Sequence, residues 1–279
     1  KTEAIAGGFI QRFSLFIFYT FIMFTSLKNL TSKIYLLTLF FFLISISIIF
    51  SGNRMPLILF FLSIFLILIT NKTLKKYLIH IFVFILLISF VTINSSSQLK
   101  AYYKSFFDQS EKIFSLFSYR VTGIGSDLLY DKRPVYIHEF DAGIGTFKLN
   151  KYFGGGIKSF RFNCPNRKIE TINERTTCNM HPHNYYLEIL TETGVIGFFL
   201  ISIIFMIILY LTFLKKYFIK SKLNDNKIII AFIFLFIAEI FPIKSTGSFF
   251  TTGNTTYLFL LIGILIGLAR KDILIEKKY

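Results

Sequence analysis

Long apolar runs constrain this 279-residue chain more than any other feature of its sequence. Hydrophobic residues make up 54% of it and the mean hydropathy is +0.62, which is too apolar for a water-soluble domain of this length. A helix needs about 20 apolar residues to cross roughly 30 Å of hydrocarbon. We therefore predict an all-α membrane protein with seven spans, at about 10–27, 34–50, 56–70, 77–94, 192–214, 228–243 and 255–269.

The predicted spans divide the chain into three regions. Residues 1–94 hold four transmembrane helices, 95–183 form one large external loop with short amphipathic surface helices, and 184–279 hold three more helices and the C-terminus. Because the sequence begins at Lys1 without an initiator methionine, we expect further N-terminal helices in a longer protein, with a processed chain as the alternative.

The basic residues indicate how the spans are oriented. Lysines cluster in alternate connections, such as Lys72, Lys75 and Lys76 or Lys215 and Lys216, and are sparse in the short connections between them. By the positive-inside rule, the large loop lies outside and the C-terminus lies in the cytoplasm. The net charge of +16 does not indicate nucleic-acid binding, since no basic face interleaved with aromatic residues is present.

Both cysteines, Cys164 and Cys178, fall in the external loop. In an oxidising compartment they are expected to form a disulfide, which would tie the segment after Arg161 to the segment before His181. The alternative is a zinc site completed by His181 and His183, but the Cys-x-x-His-x-His spacing is irregular for such a site.

The segment Met180–Gly197, MHPHNYYLEILTETGVIG, contains a tight histidine pair directly before an apolar run. We expect His183 to lie near a helix N-terminus, where the helix dipole keeps its ring neutral and able to accept a proton. Asn184 is placed to orient the ring or a substrate. The alternative is that HPHN only caps the helix, with Pro182 in its first turn.

Glycines are expected to interrupt the chain at two places near this segment. A helix from Pro182 to Leu214 would be longer than a membrane is thick, so it either projects outside or breaks near Gly194 or Gly197. In the external loop, three consecutive glycines at 154–156 predict a turn.

Three arginines are candidates for binding phosphate. Arg54 lies at the outer end of the third predicted span, on the same side as His183, and Arg133 and Arg161 lie in the external loop. A guanidinium binds phosphate through two parallel hydrogen bonds, so these residues suit a diphosphate group. Alternatively, such arginines reach only toward lipid phosphates.

The acidic residues give weaker signals. Glu139 and Asp141 have the spacing of a metal-binding carboxylate pair, but one such pair arises often by chance, and we predict no metal site. Glu188 and Glu192, on the helix that re-enters the membrane, either polarise a substrate or His183, or form a solvated helix face.

The sequence HPHNYYLEILTETGVIG, preceded by FGGGIKSFRFNC and followed by FPIKSTGSFF, resembles the bacterial O-antigen ligase/polymerase family from about Ser51 onward. The resemblance implies a GT-C-like membrane glycosyltransferase of the bacterial inner membrane, without metal or cofactor, whose active site faces the periplasm. Such enzymes move a glycan from undecaprenyl diphosphate to a hydroxyl acceptor.

The resemblance also implies roles for individual residues. The family's histidine followed by asparagine matches His183, the expected general base. A family arginine at a helix end matches Arg54, and loop arginines match Arg133 and Arg161. Tyr136 stands where the family often has tryptophan after its first loop arginine.

The sequence is compatible with several functions. Lipid A core is the expected acceptor, and a growing glycan (polymerase) or a protein side chain (oligosaccharyltransferase) are the alternatives. A transporter is disfavoured because the predicted spans contain few ionisable residues, mainly Arg12 and Glu239, and because the polar groups gather at one surface. A scaffolding membrane subunit is a further alternative. Membrane lipids are expected partners in every case.

Overall fold

A computed structural model describes residues 6–14, 30–70, 72–122, 135–168, 178–219, 227–245 and 247–276. All regular secondary structure within these ranges is helical, as the apolar runs predict. The helices are α1 (6–14), α2 (Leu30–Phe50), α3 (Arg54–Thr70), α4 (Lys72–Ser95), α5 (Ser97–Thr122), α6 (Val135–Phe147), α7 (Phe160–Asn163), α8 (Tyr185–Leu209), α9 (Lys227–Glu239) and α10 (Thr252–Glu276). A 3₁₀ turn, Cys164–Asn166, follows α7, and π-helical turns, Tyr210–Ile219, follow α8.

The chain divides into two compact units. The first contains Lys1–Lys104, Ile208–Glu239 and Leu261–Tyr279, and the second contains Ser105–Ile207 and Ile240–Leu260. In the first unit α3 packs against α2, α4 and α9.

The core of the first unit is made of large apolar side chains. Phe41, Ile48, Phe60 and Ile64 are fully buried, and the rings of Phe41 and Phe60 lie 5.9 Å apart. The connection between α2 and α3 is a tight turn at 51–53, with Pro56 in the first turn of α3. Apolar packing of this kind stabilises the helices against one another.

An ion pair joins α1 to α9 within the first unit. Arg12 Nε donates to Glu239 Oε2 at 3.2 Å, and Arg12 Nη2 donates to Glu239 Oε1 at 2.7 Å. Each charge neutralises the other in an apolar environment, where a single charge would be costly. The ion pair therefore holds α1 against α9. This structural role disfavours the alternative in which Arg12 and Glu239 line a transport path.

Among the described residues, two helices are long and apolar enough to cross a membrane, Tyr185–Lys215 and Thr252–Arg270. A third span exists if Ile79–Ser95 and Ser97–Lys112, which are bent by 114°, count as one. The structure thus supports two or three of the seven predicted spans. Of the others, those at 34–50 and 56–70 fall on helices whose apolar parts are shorter, Thr38–Phe50 and Arg54–Leu66. The span at 228–243 coincides with the 13-residue α9, and 10–27 lies mostly outside the described residues.

Helix α8 breaks at Gly194, as predicted. The backbone of Gly194 has φ 67° and ψ −170°, far from helical values. The apolar segment after the break, 195–215, has the length of about 20 residues that a helix needs to cross the hydrocarbon of a bilayer. The break therefore separates a membrane-length apolar helix from a polar segment that precedes it.

The glycine turn pairs with this break through backbone hydrogen bonds. On one side of the break, Gly155 N–H donates to Thr191 O and Gly156 N–H donates to Glu192 O, both at 2.9 Å. On the other side, the amides of Val195 and Ile196 donate to the carbonyls of residues 151 and 152, at 2.8 and 3.3 Å. Backbone groups that lose helical partners at the break are thus satisfied by the turn.

Candidate functional site

Asn184 fixes the point where α8 begins. Its Oδ1 accepts hydrogen bonds from the backbone N–H of Tyr186 at 3.0 Å and of Leu187 at 3.2 Å, which is the geometry of an N-cap. Its Nδ2 donates to the carbonyl of Pro242 at 2.8 Å. Capping is therefore performed by Asn184, and Pro182 lies before the helix. The side chain of Asn184 positions the residue next to it in the chain, His183.

His183 has a strained backbone and a partly accessible ring. Its φ of 49° lies in the left-handed region, which costs a non-glycine residue roughly 1–2 kcal/mol. Its side chain is 21% exposed, and its Nε2 lies 4.0 Å from Oε1 of Glu139 on α6. At this distance the carboxylate attracts a protonated imidazole. An imidazole that is accessible and faces a carboxylate is arranged for general base work.

Neighbouring side chains hold the histidine and the carboxylate in place. Asn179 Nδ2 donates to Glu139 Oε1 at 3.0 Å. The rings of His181 and His183 lie 4.4 Å apart at an angle of 52°. The segment before α8 is therefore attached to α6 by two polar contacts, from Asn179 and His183, to the same oxygen of Glu139.

A disulfide joins the same segment to α7. Cys164 and Cys178 are bonded, with Cα atoms 5.7 Å apart, and Cys164 is buried against Ala142 and Phe160. Buried Arg167 donates through Nη1 to the Cys164 carbonyl at 3.0 Å and contacts both sulfur atoms. The bond occupies both cysteine sulfurs, so they are not free to bind zinc.

Removing this disulfide is expected to loosen the histidine segment. A Cys164→Ser/Cys178→Ser variant should lose about 3 kcal/mol of stability, because the unfolded chain gains the freedom of an unclosed loop of about 15 residues. The check is Tm in detergent with and without reductant. Reductant should lower the Tm of the native protein and leave that of the double variant unchanged. An equal Tm for the two proteins in the absence of reductant would contradict the prediction.

A buried carboxylate joins α8 to the connection between α9 and α10. Glu188 is 1% exposed, and its two carboxylate oxygens accept hydrogen bonds from Ser248 Oγ and from the backbone N–H of Phe249. The sequence left open whether Glu188 is solvated or functional. Here it is a buried structural residue whose carboxyl group fixes this connection beside the start of α8.

Lys244 is a site residue that the sequence reasoning missed. It is buried, its Nζ donates to Tyr185 Oη at 3.2 Å, and the same atom lies 4.5 Å from the centre of the Tyr185 ring. The hydroxyl of Tyr186 donates to the Ile240 carbonyl. The only sequence signal was a lysine within the FPIKSTGSFF segment, with nothing to indicate that it is buried.

The three arginines predicted to bind phosphate have different surroundings. Arg54 lies at the N-terminus of α3 in the first unit, and Arg133 lies outside the described residues. Arg161 is exposed on α7, with its guanidinium carbon 4.7 Å from the centre of the Phe162 ring. Arg167, which sequence reasoning did not select, is the buried arginine of this region. Its position three residues after Cys164 was the available signal.

The sequence profile of the O-antigen ligase family matches residues 39–202, well over half of the chain. The chain belongs to the O-antigen ligase family. The family match includes Glu139, the disulfide and His183, and it ends after the break at Gly194. No individual curated protein and no solved structure matches the chain. Membership of the family implies a glycosyltransferase-like enzyme of the bacterial membrane, which uses a glycan-linked lipid donor and a lipid acceptor.

Proposed function

We propose that this protein transfers a glycan from undecaprenyl diphosphate to a hydroxyl acceptor, and that the acceptor is lipid A core. The observation that carries the proposal is the accessible ring of His183 facing the Glu139 carboxylate at the start of α8. Family membership supplies the class of reaction.

In this proposal His183 acts as the general base. Its unprotonated nitrogen takes the proton of the acceptor hydroxyl as the hydroxyl oxygen attacks the anomeric carbon of the donor sugar. The bond from that carbon to the diphosphate oxygen breaks, and undecaprenyl diphosphate leaves with the electron pair. Direct displacement inverts the anomeric configuration. Glu139 stabilises the imidazolium that forms, and Asn184 positions the histidine by capping the helix.

The leaving group requires positive charge. We assign the binding of the diphosphate to Arg54, Arg133 and Arg161, because guanidinium groups remain charged and match phosphate oxygens in pairs. The reaction needs no metal in this proposal, since the arginines stabilise the charge that develops on the diphosphate.

The proposed site faces the periplasm from the bacterial inner membrane. The alternation of lysine-rich and lysine-poor connections supports this orientation, with seven spans in this chain. Undecaprenyl diphosphate-linked glycans and lipid A core would both be accessible from that face.

A transfer assay with the purified protein tests the function. The donor is an undecaprenyl diphosphate glycan, offered with lipid A core, with a second carrier-linked glycan, or with a serine-containing peptide. We expect glycan to appear on lipid A core together with released undecaprenyl diphosphate. Product only on the second carrier would instead identify a polymerase, and product only on the peptide an oligosaccharyltransferase. No transfer to any acceptor would overturn the proposal and favour the alternative of a membrane transporter.

A further inference from the structure

The loop at 148–158, hereafter the interfacial loop, exposes large apolar side chains. Tyr152 is 72% exposed, Phe153 is 79% exposed and Ile157 is 67% exposed. Keeping three such side chains in water is unfavourable by about 25 cal/mol for each Å² of apolar surface. An exposed apolar cluster of this kind marks a surface that contacts a partner or a membrane.

The charge of the interfacial loop has one sign. Its sequence, KLNKYFGGGIK, contains three lysines, Lys148, Lys151 and Lys158, and no acidic residue. The acidic residue beside it, Glu192, is buried and accepts the backbone N–H of Lys158 at 2.6 Å. Exposed lysines next to exposed aromatic side chains are typical of segments that bind anionic membrane surfaces.

The hydrogen bonds to α8 indicate the depth of the loop in the membrane. The loop accepts hydrogen bonds from the amides of Val195 and Ile196, which begin the membrane-length part of α8. The following turns of that helix expose Phe199, Leu200 and Ile203, as a lipid-facing helix does. A loop bonded to the first turn of such a helix lies at the level of the lipid headgroups.

The loop is also held in a fixed conformation. A Cβ atom at Gly154 would overlap the backbone of Glu192 and Thr193, so the two backbones are in close contact. With the hydrogen bonds on both sides of the α8 break, this contact keeps the aromatic side chains projecting from the protein.

We propose that the interfacial loop inserts Tyr152, Phe153 and Ile157 into the membrane interface and that Lys151 and Lys158 bind the headgroups of anionic phospholipids. The loop then sets the height of the adjoining segments relative to the bilayer. The inference does not depend on the reaction assigned to the enzyme, and its test uses no activity measurement.

The chain contains no tryptophan, so a Phe153→Trp variant carries a single tryptophan, placed at the loop tip, whose emission is separable from that of the tyrosines. The variant is reconstituted into phosphatidylcholine vesicles with bromine atoms near the headgroup end or near the methyl end of the acyl chains. We expect blue-shifted emission that loses most of its intensity only with the shallow bromines. A Phe199→Trp variant, on the exposed face of α8, gives the depth reference and should be quenched by deeper bromines.

Red-shifted Phe153→Trp emission that neither bromine position quenches would overturn the inference, provided that Phe199→Trp is quenched. A Tyr152→Trp variant repeats the measurement at the neighbouring side chain. It keeps the test decisive if Phe153→Trp fails to fold, which the Tm in detergent reports.

Anionic lipid is tested by competition in the same background. Unbrominated phosphatidylglycerol, mixed equally with brominated phosphatidylcholine, should relieve the quenching of Phe153→Trp more than unbrominated phosphatidylcholine does. Changing Lys151→Gln and Lys158→Gln together should lower this preference by about five-fold for each lysine. Changing the exposed Lys100→Gln and Lys104→Gln on α5 removes the same charge elsewhere and should leave it unchanged. Equal relief by both lipids would contradict the headgroup assignment.

Discussion

Alanine at position 183 is expected to lower the rate of glycan transfer by about 10²–10⁴-fold, the usual contribution of a general base. The acceptor hydroxyl would then lose its proton to water, since no imidazole stands opposite Glu139. Binding of the donor should be little affected, because His183 acts on the acceptor. The measurement is the kcat and KM of the purified His183→Ala variant in the transfer assay.

A matched variant separates chemistry from folding. His80 is an exposed histidine on α4, and a His80→Ala change should leave kcat unaltered, while its Tm reports any effect on folding. If His183→Ala protein with a normal Tm transferred glycan at the native rate, His183 would not be the base.

The role of Glu139 follows from the same experiment. A Glu139→Gln change keeps the shape of the side chain and removes its charge, so it should lower kcat in the native background. In the His183→Ala background it should have almost no further effect, because the imidazole on which it acts is gone. If the two changes instead lowered kcat by factors that multiply, Glu139 would not act through His183.

Local chemistry explains which features of the site the sequence could predict. A glycine within a helical pattern that exceeds the membrane thickness indicates a break, and α8 does break at Gly194. The polar HPHN segment before an apolar run indicates a helix start, which Asn184 caps. The sequence predicted where the helix begins, but it assigned the cap to the HPHN segment as a whole and not to Asn184.

The partner of His183 could not be read in the same way. Glu139 lies on another helix, and it faces His183 because the packing of α6 and the Cys164–Cys178 bond bring two distant segments together. The sequence offered Glu139 only as half of a weak metal-binding pair. A contact that depends on tertiary packing leaves no periodic signal in the chain.

Two glutamates of α8 also have contacts that could not be predicted from the sequence. Glu188 and Glu192 have the spacing of a solvated helix face, yet both are buried and both accept backbone N–H groups, from Phe249 and Lys158 respectively. Phe249 lies in the connection before α10 and Lys158 lies in the interfacial loop, and both segments belong to the second unit. The structural role of the two glutamates depends on these tertiary contacts, so it cannot be predicted from the sequence.

Hydropathy predicts the positions of apolar helices better than it predicts which of them cross the membrane. The fourth predicted span coincides with α4, but the chain turns by 114° at Ser96 and continues as α5, which the sequence had assigned to the external loop. Composition reports how apolar a segment is and gives little information about the direction of the next helix.

The second large effect is expected at Gly154, where the interfacial loop meets α8. Alanine there should lower stability by about 2–4 kcal/mol, since it combines a left-handed φ of 71° with a Cβ that overlaps the backbone of Glu192. Alanine at Gly156, which also has a positive φ but open space around it, should cost only about 1 kcal/mol. The measurement is the Tm of both variants in detergent.

Hydrogen exchange distinguishes displacement of the loop from simple backbone strain. If the Gly154→Ala side chain separates the loop from α8, the amides of Gly155, Gly156, Val195 and Ile196 should exchange faster together, because their four hydrogen bonds join the loop to both sides of the break. In Gly156→Ala protein these amides should keep most of their protection. Similar Tm values and similar exchange in the two variants would mean that the close contact at Gly154 contributes nothing beyond its φ angle, and the loop would then be held by its hydrogen bonds alone.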